Sequence, residues 1–332
     1  MRFIHCLMIG LPLTKGIRFA FIGDWGQPGV GLDMVGSEIR NRAYDFLVMG
    51  GDNFYETGVI NVMDSQFETT YGAQFGGLNS SHYVVLGNHD YYGNPLAQLL
   101  YSQYDPHWVA DYYYFSRILN FGDVSVCALF IDTMDFVQSG QVAFLHATLQ
   151  SPKCRQSDWI YVFGHHPIFS SGWHGDSANL QSVLKPILDM YSVDFYVAGH
   201  DHLFSCHIDT GLNYIVSGAG SLRTTSGFYT STSRAEQTRF HAMSIYGFAE
   251  FNVNKTATTL SIINAETKEQ VYTTTTESRL SQRSEPVNYA YTITGHTPWS
   301  GGYIGLVIFG VLLTWIGGFF LIKPHEILSL FK

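Results

Sequence analysis

Short apolar runs alternate with polar turns from residue 17 to about residue 275. Mostly unbroken apolar runs are typical of strands that are covered on both faces of a sheet. They predict strands at 17–22, 45–49, 82–86, 124–131, 159–163, 193–198, 214–217, 246–253 and 257–263. The segments between them predict helices at 31–43, 62–74, 95–104, 139–150 and 177–191. Alternating strands and helices, followed by a β-rich portion, predict an α/β fold in which two sheets pack together with helices outside.

The longest apolar run lies near the C-terminus, at residues 303–322, and holds 20 residues without a charge. About 20 residues are what a transmembrane helix requires, so we expect one here, followed by a short tail at 323–332. Lys323 and Lys332 favour a cytoplasmic tail. A buried helix and a cleaved lipid-anchor signal are the alternatives, but core helices are seldom apolar all round over this length. The polar residues 273–302 before the run are expected to form a stalk.

The N-terminus resembles a short signal peptide at residues 1–16. Arg2 gives a positive start, residues 3–13 are apolar, and small residues follow at plausible cleavage positions. The domain that follows would then be lumenal or extracellular, at the cell surface or in an acidic endolysosomal compartment. Two glycosylation sequons, at Asn79 and Asn254, fit that location. Without a signal peptide, the same chain would be tail-anchored and face the cytosol.

Composition excludes several classes of protein. The chain has 332 residues, is 46% hydrophobic and carries a net charge of −9 without any Lys/Arg-rich run, which argues against nucleic acid as a partner. Four cysteines are too few for a disulfide scaffold. Loss of Cys6 with the signal peptide would leave three, and at least one free thiol. Cys127 lies in an apolar run and is expected to be buried and inert.

Five predicted strands end in glycine-flanked turns that carry residues suited to binding metals. These turns are Gly23-Asp24-Trp25-Gly26, Gly51-Asp52-Asn53-Phe54-Tyr55, Gly87-Asn88-His89-Asp90, Gly164-His165-His166-Pro167 and Gly199-His200-Asp201-His202. One such turn alone is weak evidence of a site. Because α/β sheets place ligands at the carboxyl ends of their strands, five together predict one metal site at that edge.

The order of these turns resembles the five-block signature of the metallophosphoesterases. Tyr55, three residues after Asp52, narrows the resemblance to the purple acid phosphatases, and the short length is similar to their tartrate-resistant branch. Ser217-Gly218-Ala219-Gly220 and His174-Gly175 agree as well. The resemblance covers roughly residues 17–265 and implies a four-layer α/β/β/α catalytic domain, here 17–272.

The resemblance also implies seven metal ligands in two groups that share one residue. The first metal, Fe(III), would be bound by Asp24, Tyr55 and His202. The second, a divalent Fe, Zn or Mn, would be bound by Asn88, His165 and His200, with Asp52 bridging both. Carboxylate and phenolate are hard anionic ligands that suit trivalent iron, whereas imidazole and amide suit a divalent ion and do not choose among the three.

The expected activity is hydrolysis of phosphomonoesters by attack of a metal-bound hydroxide. His89 and His174 are the candidates that stabilise developing charge or protonate the leaving oxygen. If both act as imidazolium, activity is greatest at acidic pH. An enzyme acting on phosphodiesters or nucleotides is one alternative. A catalytically silent membrane receptor or adhesion ectodomain is another, although all seven ligand positions and His89 hold suitable residues.

We do not expect the other residues near the motifs to bind metal. We expect His166 to be a packed or rim residue, and Asp90 and Asp201 to brace histidines or cap turns. Trp25 and Trp173 are candidates for pocket walls.

The sequence departs from the tartrate-resistant branch in three ways. The segment Met134 to Gln141, where relatives carry a long basic loop that represses activity, is short and has no Lys or Arg. Trp173 stands where the family usually has an acidic residue, which bears on leaving-group preference. The cysteines are not expected to reproduce the disulfide of that branch.

Overall fold

The computed structural model describes residues 16–136, 140–227 and 236–283. In chain order, the described strands β1 to β14 are Ile17–Ile22, Phe46–Gly50, Ser81–Val85, Trp108–Val109, Phe115–Phe121, Val124–Phe130, Trp159–Phe163, Phe195–Ala198, Phe204–Asp209, Leu212–Ser217, Thr238–Ala242, Gly247–Val253, Ala257–Asn264 and Gln270–Glu277. The described helices α1 to α7 are Val30–Arg40, Ala73–Phe75, Asn88–Tyr91, Pro95–Tyr101, Gln141–Gln150, Pro152–Arg155 and Ala178–Met190. A π-helical turn, Phe67–Gly72, precedes α2, and a 3-10 turn, Leu280–Arg283, follows β14.

The strands form two mixed sheets, each with seven described strands. The first has the order β14-β13-β12-β1-β2-β3-β4 and the second the order β11-β9-β10-β8-β7-β6-β5. Strands β1 to β4 are parallel to one another, as are β6, β7, β8 and β10, while the remaining pairings are antiparallel. The prediction of an α/β fold with two sheets is confirmed. Each predicted strand overlaps an observed one, whereas β4, β5, β9, β11 and β14 were not predicted.

Three apolar layers explain why the sheets stack with helices outside. On β1, Phe19 and Phe21 point between the sheets, while Ala20 and Ile22 point to the outer face, because side chains alternate along a strand. Between the sheets, the Phe19 ring stacks on Phe46 with centroids 4.6 Å apart and meets Tyr161 edge-on at 5.4 Å. The outer face of the second sheet packs on α5 and α7. The result is the four-layer α/β/β/α arrangement.

The cysteine prediction is wrong in one respect. Cys127 on β6 is buried as expected, but it forms a disulfide with Cys154 on α6, across a sequence separation of 27 residues. Both residues lie in the apolar layer outside the second sheet, which brings two positions together that the sequence does not relate. Cys206 is a buried free thiol.

The prediction that a stalk begins at residue 273 is also wrong. Strand β14 pairs antiparallel with β13, and its threonines have the β-branched shape that favours an edge strand. After it, Arg279 donates a hydrogen bond to the Val193 carbonyl at 2.8 Å, and the buried Arg283 forms an ion pair with Asp194. The folded domain therefore extends to at least Arg283.

The remaining predicted segments lie outside the described residues. The chain divides into the units Met1–Val287 and Asn288–Lys332. The predicted signal peptide apart from Gly16, the rest of the stalk, the apolar run 303–322 and the tail 323–332 are not described. Within the described ranges, no helix has both the length and the apolar character needed to cross a bilayer.

Acid is expected to destabilise the fold through His82, which is fully buried on β3 beside the Tyr71 hydroxyl. Burial and the nearby His107 lower the pKa of His82 to about 4, against the opposing effect of Asp105. In the unfolded chain, the histidine binds its proton near pH 6.5. The contribution of the neutral His82 to the free energy of unfolding is therefore fully present above that pH, and it is lost as the pH falls from about 6.5 to 4. The loss of unfolding free energy should be about 3 kcal/mol. Denaturant unfolding of His82→Gln, which does not titrate, should show a weaker pH dependence over this range, and an unchanged slope would contradict this assignment.

Candidate metal centre

Five strand ends converge on one point, as the sequence predicts. Asp24 follows β1, Asp52 follows β2 and Asn88 follows β3, all in the first sheet. His165 follows β7 and His200 follows β8, in the second sheet. Backbone hydrogen bonds join the two sheets here, for example from Gly23 N–H to the Ser217 carbonyl at 3.0 Å. The site is therefore built from both sheets at the edge where their parallel strands end.

Close backbone approach makes room for the carboxylates. A Cβ on Gly199 would lie 2.5 Å from Oδ2 of Asp24, and one on Gly218 would lie 2.7 Å from the same atom. Asp24, Asp52 and His200 adopt left-handed backbone angles, with φ of 56°, 51° and 71°. Residues other than glycine rarely adopt these backbone angles. Such conformations cluster at functional sites, where the surrounding structure holds them.

The first group of donor atoms surrounds the Tyr55 hydroxyl. It lies 3.1 Å from Oδ1 of Asp24, 3.0 Å from Oδ2 of Asp52 and 3.2 Å from Nε2 of His202. The second group surrounds Oδ1 of Asn88, which lies 3.1 Å from Nε2 of His165 and 3.0 Å from Nδ1 of His200.

Asp52 links the two groups through its two oxygens. Oδ2 contacts the Tyr55 hydroxyl in the first group, and Oδ1 lies 3.4 Å from Nε2 of His165 in the second. The backbone N–H of His89 donates to Oδ1 at 2.9 Å and fixes the carboxylate in this orientation. All seven predicted ligands thus come together in the predicted grouping.

The buried acidic groups of the site need positive charge nearby in order to ionise. Asp24, Asp52 and His165 are 0–2% exposed, and their donor atoms lie within 4.8 Å of one another. Burial raises the pKa of Asp24 and opposes ionisation of Asp52, but the neighbouring His165 lowers the pKa of Asp52 well below its usual value. Burial and the carboxylates of Asp24 and Asp52 raise the pKa of the Tyr55 phenol far above its usual value, so its phenolate requires a compensating cation.

The donor set fits two metal ions. Ligand atoms about 2.1 Å from one ion and at right angles to each other lie about 3.0 Å apart. The contacts within each group, 3.0–3.2 Å between Tyr55 or Asn88 and their partners, match that spacing. One group contains two carboxylates and a phenol, and the other an amide and two imidazoles, so the two sites differ in charge.

A layer of hydrogen bonds behind the predicted ligands holds their side chains in place. Nδ1 of His165 lies 3.0 Å from the Gly50 carbonyl, which assigns the proton to Nδ1 in the neutral ring and leaves Nε2 to face the site. Asp90 is buried and accepts from the backbone N–H groups of Gly87 and Asn53 at 2.7 and 3.0 Å, which confirms that it caps turns. Asn53, which was not predicted, accepts a hydrogen bond from the Trp25 indole at 2.9 Å. Its place between two ligand residues in the second motif was the only available signal.

The two predicted acid residues lie at the opening of the site. His89 is half-buried, its ring centroid lies 4.4 Å from that of Tyr55, and its Nδ1 lies 2.6 Å from the Glu56 carbonyl. His174 is exposed, and its ring centroid lies 4.3 Å from that of His200. One histidine therefore flanks each group of donors.

The other residues predicted near the site are two tryptophans, as pocket walls, and His166 and Asp201, as packed or bracing residues. Trp25 is fully buried in the apolar layer outside the first sheet, so its prediction as a pocket wall is wrong. Trp173 is 78% exposed beside His174. His166 packs 4.4 Å from the His200 ring and contacts the Thr133 hydroxyl, as a packed residue would. Asp201 accepts from the backbone N–H of His174 at 3.1 Å and so braces a histidine.

Known proteins that are similar to this chain belong to the family that the five motifs resemble. The model of the calcineurin-like phosphoesterase family matches residues 17–204. Human tartrate-resistant acid phosphatase type 5 is 28% identical, over 82% of this chain and 93% of the relative. Purple acid phosphatase 4 of Arabidopsis thaliana is 32% identical, over 68% of this chain and 74% of the relative.

Solved structures are also similar to this chain, and one of them covers most of it. It is GAP50, described as the anchor in the inner membrane complex of Plasmodium, and it matches with a TM-score of 0.72 at 26% identity, over 81% of this chain and 94% of that one. The predicted class of enzyme, a phosphatase, is confirmed by the family and its curated relatives. The chain belongs to the calcineurin-like phosphoesterases, and within them to the purple acid phosphatases that include the tartrate-resistant enzymes.

Proposed function

We propose that this protein is an acid phosphatase that hydrolyses phosphomonoesters at a dinuclear centre of Fe(III) and a divalent Fe, Zn or Mn. The observation that carries the proposal is the position of Asp52, whose two oxygens face two different groups of donors. The group with two carboxylates and the Tyr55 phenol suits Fe(III), and the group with Asn88 and two imidazoles suits the divalent ion. The acid phosphatase names of the relatives support the reaction class.

The chain's own residues prepare the site for an in-line displacement at phosphorus. When bound, a pair of ions supplies Lewis-acid activation of the phosphate and of the attacking water. Asp24, Tyr55 and His202 would hold one ion, Asn88, His165 and His200 would hold the other, and Asp52 lies between the two groups. Three anionic ligands against five metal charges leave an excess of two positive charges, which favours a phosphate dianion.

His89 is proposed to protonate the leaving oxygen or to stabilise charge on it. The Glu56 carbonyl accepts a hydrogen bond from Nδ1 at 2.6 Å, so Nε2 is the nitrogen that can exchange a proton with substrate. The backbone N–H of His89 is tied to the Asp52 carboxylate, which keeps this ring beside the bridge. His174 is proposed for the same task on the other side of the opening. A positioned acid of this kind contributes about 10²–10⁴-fold to the rate.

Hydrolysis rates of phenyl phosphate and diphenyl phosphate, which release the same alcohol, distinguish a phosphomonoesterase from a phosphodiesterase. We expect kcat/KM for the monoester to be at least tenfold higher, because the excess positive charge favours a dianion. His89→Ala should lower kcat for the monoester about 100-fold, whereas His241→Ala, an exposed histidine on β11, should not change it. Faster hydrolysis of the diester would favour a phosphodiesterase. No hydrolysis of either ester by protein that contains both metals would contradict the enzymatic proposal.

We also propose that residues 303–322 anchor the protein in a membrane and that the catalytic domain is lumenal or extracellular. The apolar run of 20 residues supports the anchor. The Cys127–Cys154 disulfide supports an oxidising compartment, where such bonds persist. Asn79 and Asn254 are both exposed, as glycosylation there would require.

A second function, as a membrane anchor for other proteins, is favoured by the similarity to GAP50 over 81% of this chain. It differs from the receptor or adhesion ectodomain considered from the sequence, which would be catalytically silent. The two functions are compatible in one chain, since an anchor uses the surface and the membrane segment, whereas hydrolysis uses the metal centre.

Alkaline carbonate extraction of membranes tests the anchor. The full chain should stay in the pellet, because a transmembrane helix is not released when peripheral contacts are broken. A chain ended after residue 302 should appear in the supernatant. Release of the full chain would contradict the anchor, and retention of the shortened chain would assign membrane binding to the domain itself.

A further inference from the structure

Several large apolar side chains are exposed on the outer side of the first sheet. They belong to the loop 59–66 and to α4 with the turn that follows it, and Ile60 and Met63 in the loop are each 77% exposed. The members of this surface, the α4 face, are Ile60, Met63, Leu96, Leu100 and Tyr104. Apolar side chains that cluster on a protein surface mark places where another surface binds.

Hydrogen bonds and ring packing place α4 alongside the loop. Asn94, just before α4, donates from its backbone N–H to the Val59 carbonyl at 2.7 Å and from its side chain to the Ile60 carbonyl at 3.2 Å. At the other end of α4, the Tyr101 ring stacks on Phe67 with centroids 3.7 Å apart. Since the loop and the helix are joined at both ends, their exposed side chains belong to one surface.

Helix α4 buries one side and exposes the other. Ala97, Gln98 and Leu99 are buried. Leu96 and Leu100 are four residues apart, so they lie on the same side of the helix, and both are exposed. The exposed leucines therefore belong to a helix that is packed against the domain.

Side-chain hydrogen bonds order the loop that carries Ile60 and Met63. The Asp64 carboxylate accepts from the backbone N–H groups of Ile60 at 2.9 Å and of Gln66 at 3.0 Å. The Asn61 side chain accepts from the backbone N–H of Met63 at 2.8 Å. Because the loop is already ordered, it loses little conformational entropy when another surface binds to it.

The charges around the α4 face are acidic. Residues 43–116, which include the whole face, contain no Lys or Arg. Glu68 is exposed, and Asp105 is half-buried. After burial, the charges of these two carboxylates raise the pKa of the Tyr101 hydroxyl, which places them beside α4. Such a rim attracts cationic side chains and repels an anionic lipid surface.

We propose that the α4 face binds a cationic amphipathic helix of a partner protein. The apolar side of that helix covers Leu96, Leu100 and Met63, and its Lys or Arg side chains lie near Glu68 and Asp105. A second copy of this chain is a poorer occupant, because a symmetric dimer brings the same acidic rim to both sides of the interface. This inference goes beyond the proposed function and does not involve the metal centre.

Amide hydrogen exchange of the full chain in neutral detergent micelles tests the face with a defined probe. The probe is a synthetic amphipathic helix of leucine and lysine, about 18 residues or five turns long. It should slow exchange at 59–66 and 95–104, whereas the same peptide with glutamate in place of lysine should not. Equal protection by the two peptides, or protection elsewhere instead, would overturn the proposal.

Variants show whether the face itself makes the contact. Met63→Ser and Leu100→Ser should each raise the peptide concentration for half-maximal protection about tenfold, and Glu68→Gln should raise it about two- to threefold. The matched controls on β14, Val271→Ser and Glu277→Gln, change exposed residues and should have no effect. Unchanged protection in both serine variants would contradict the assignment of this surface.

A photo-crosslinking residue placed at Met63 identifies the natural occupant when the full chain is expressed in its own organism. The adduct should map by mass spectrometry to a segment of another protein in which Lys or Arg alternates with apolar residues at helical spacing. It should also be more abundant than the adduct formed from the same residue at Val271. An adduct with a peptide of this chain, an adduct with lipid, or no excess over Val271 would each overturn the proposal.

Discussion

The buried carboxylate of Asp52 is the constraint on which the rest of the site depends. It is 2% exposed, and its two oxygens face donors of different chemistry on either side. A carboxylate at that depth is costly unless positive charge and hydrogen-bond donors surround it. His165, the His89 N–H and the Tyr55 hydroxyl supply part of this, and they come from the turn after β7, from α3 and from the loop after β2. The two sheets therefore have to meet at this edge.

The stacking of the sheets satisfies that requirement through ordinary packing. Aromatic residues such as Phe19, Phe46 and Tyr161 fill the space between the sheets and fix their separation. Glycines at the strand ends then let the backbones approach, with Gly199 and Gly218 close to the Asp24 carboxylate. The same edge carries three of the predicted ligands with left-handed backbone angles, which the domain stabilises by its many other contacts.

The site could be predicted from the sequence because its residues lie close along the chain to the strands that position them. Each ligand follows a buried strand by two or three residues, except for Tyr55 and His202, which complete the same turns. Parallel strands then bring these turns to one edge without any knowledge of distant contacts. The grouping of the ligands came from the family resemblance, and the distances around Tyr55 and Asn88 reproduce it.

Features that depend on distant contacts or on unusual strand composition could not be predicted. The Cys127–Cys154 disulfide joins residues that share a layer only after folding. Strand β14 is polar because it lies at an edge, so its threonines suggested a stalk instead. Trp25 looked like a pocket wall because it sits beside Asp24, but its ring packs in the apolar layer outside the first sheet and its indole N–H donates to Asn53.

A visible absorption spectrum with metal analysis tests the two-metal assignment most directly. The purified chain should contain two metal ions, with iron in the group around Tyr55, and should show a phenolate-to-Fe(III) charge-transfer band. Tyr55→Phe should remove the band, while Tyr92→Phe, a tyrosine outside the donor groups, should leave it unchanged. A colourless protein that holds two Zn or Mn ions would contradict the iron assignment and leave Tyr55 without a role as ligand.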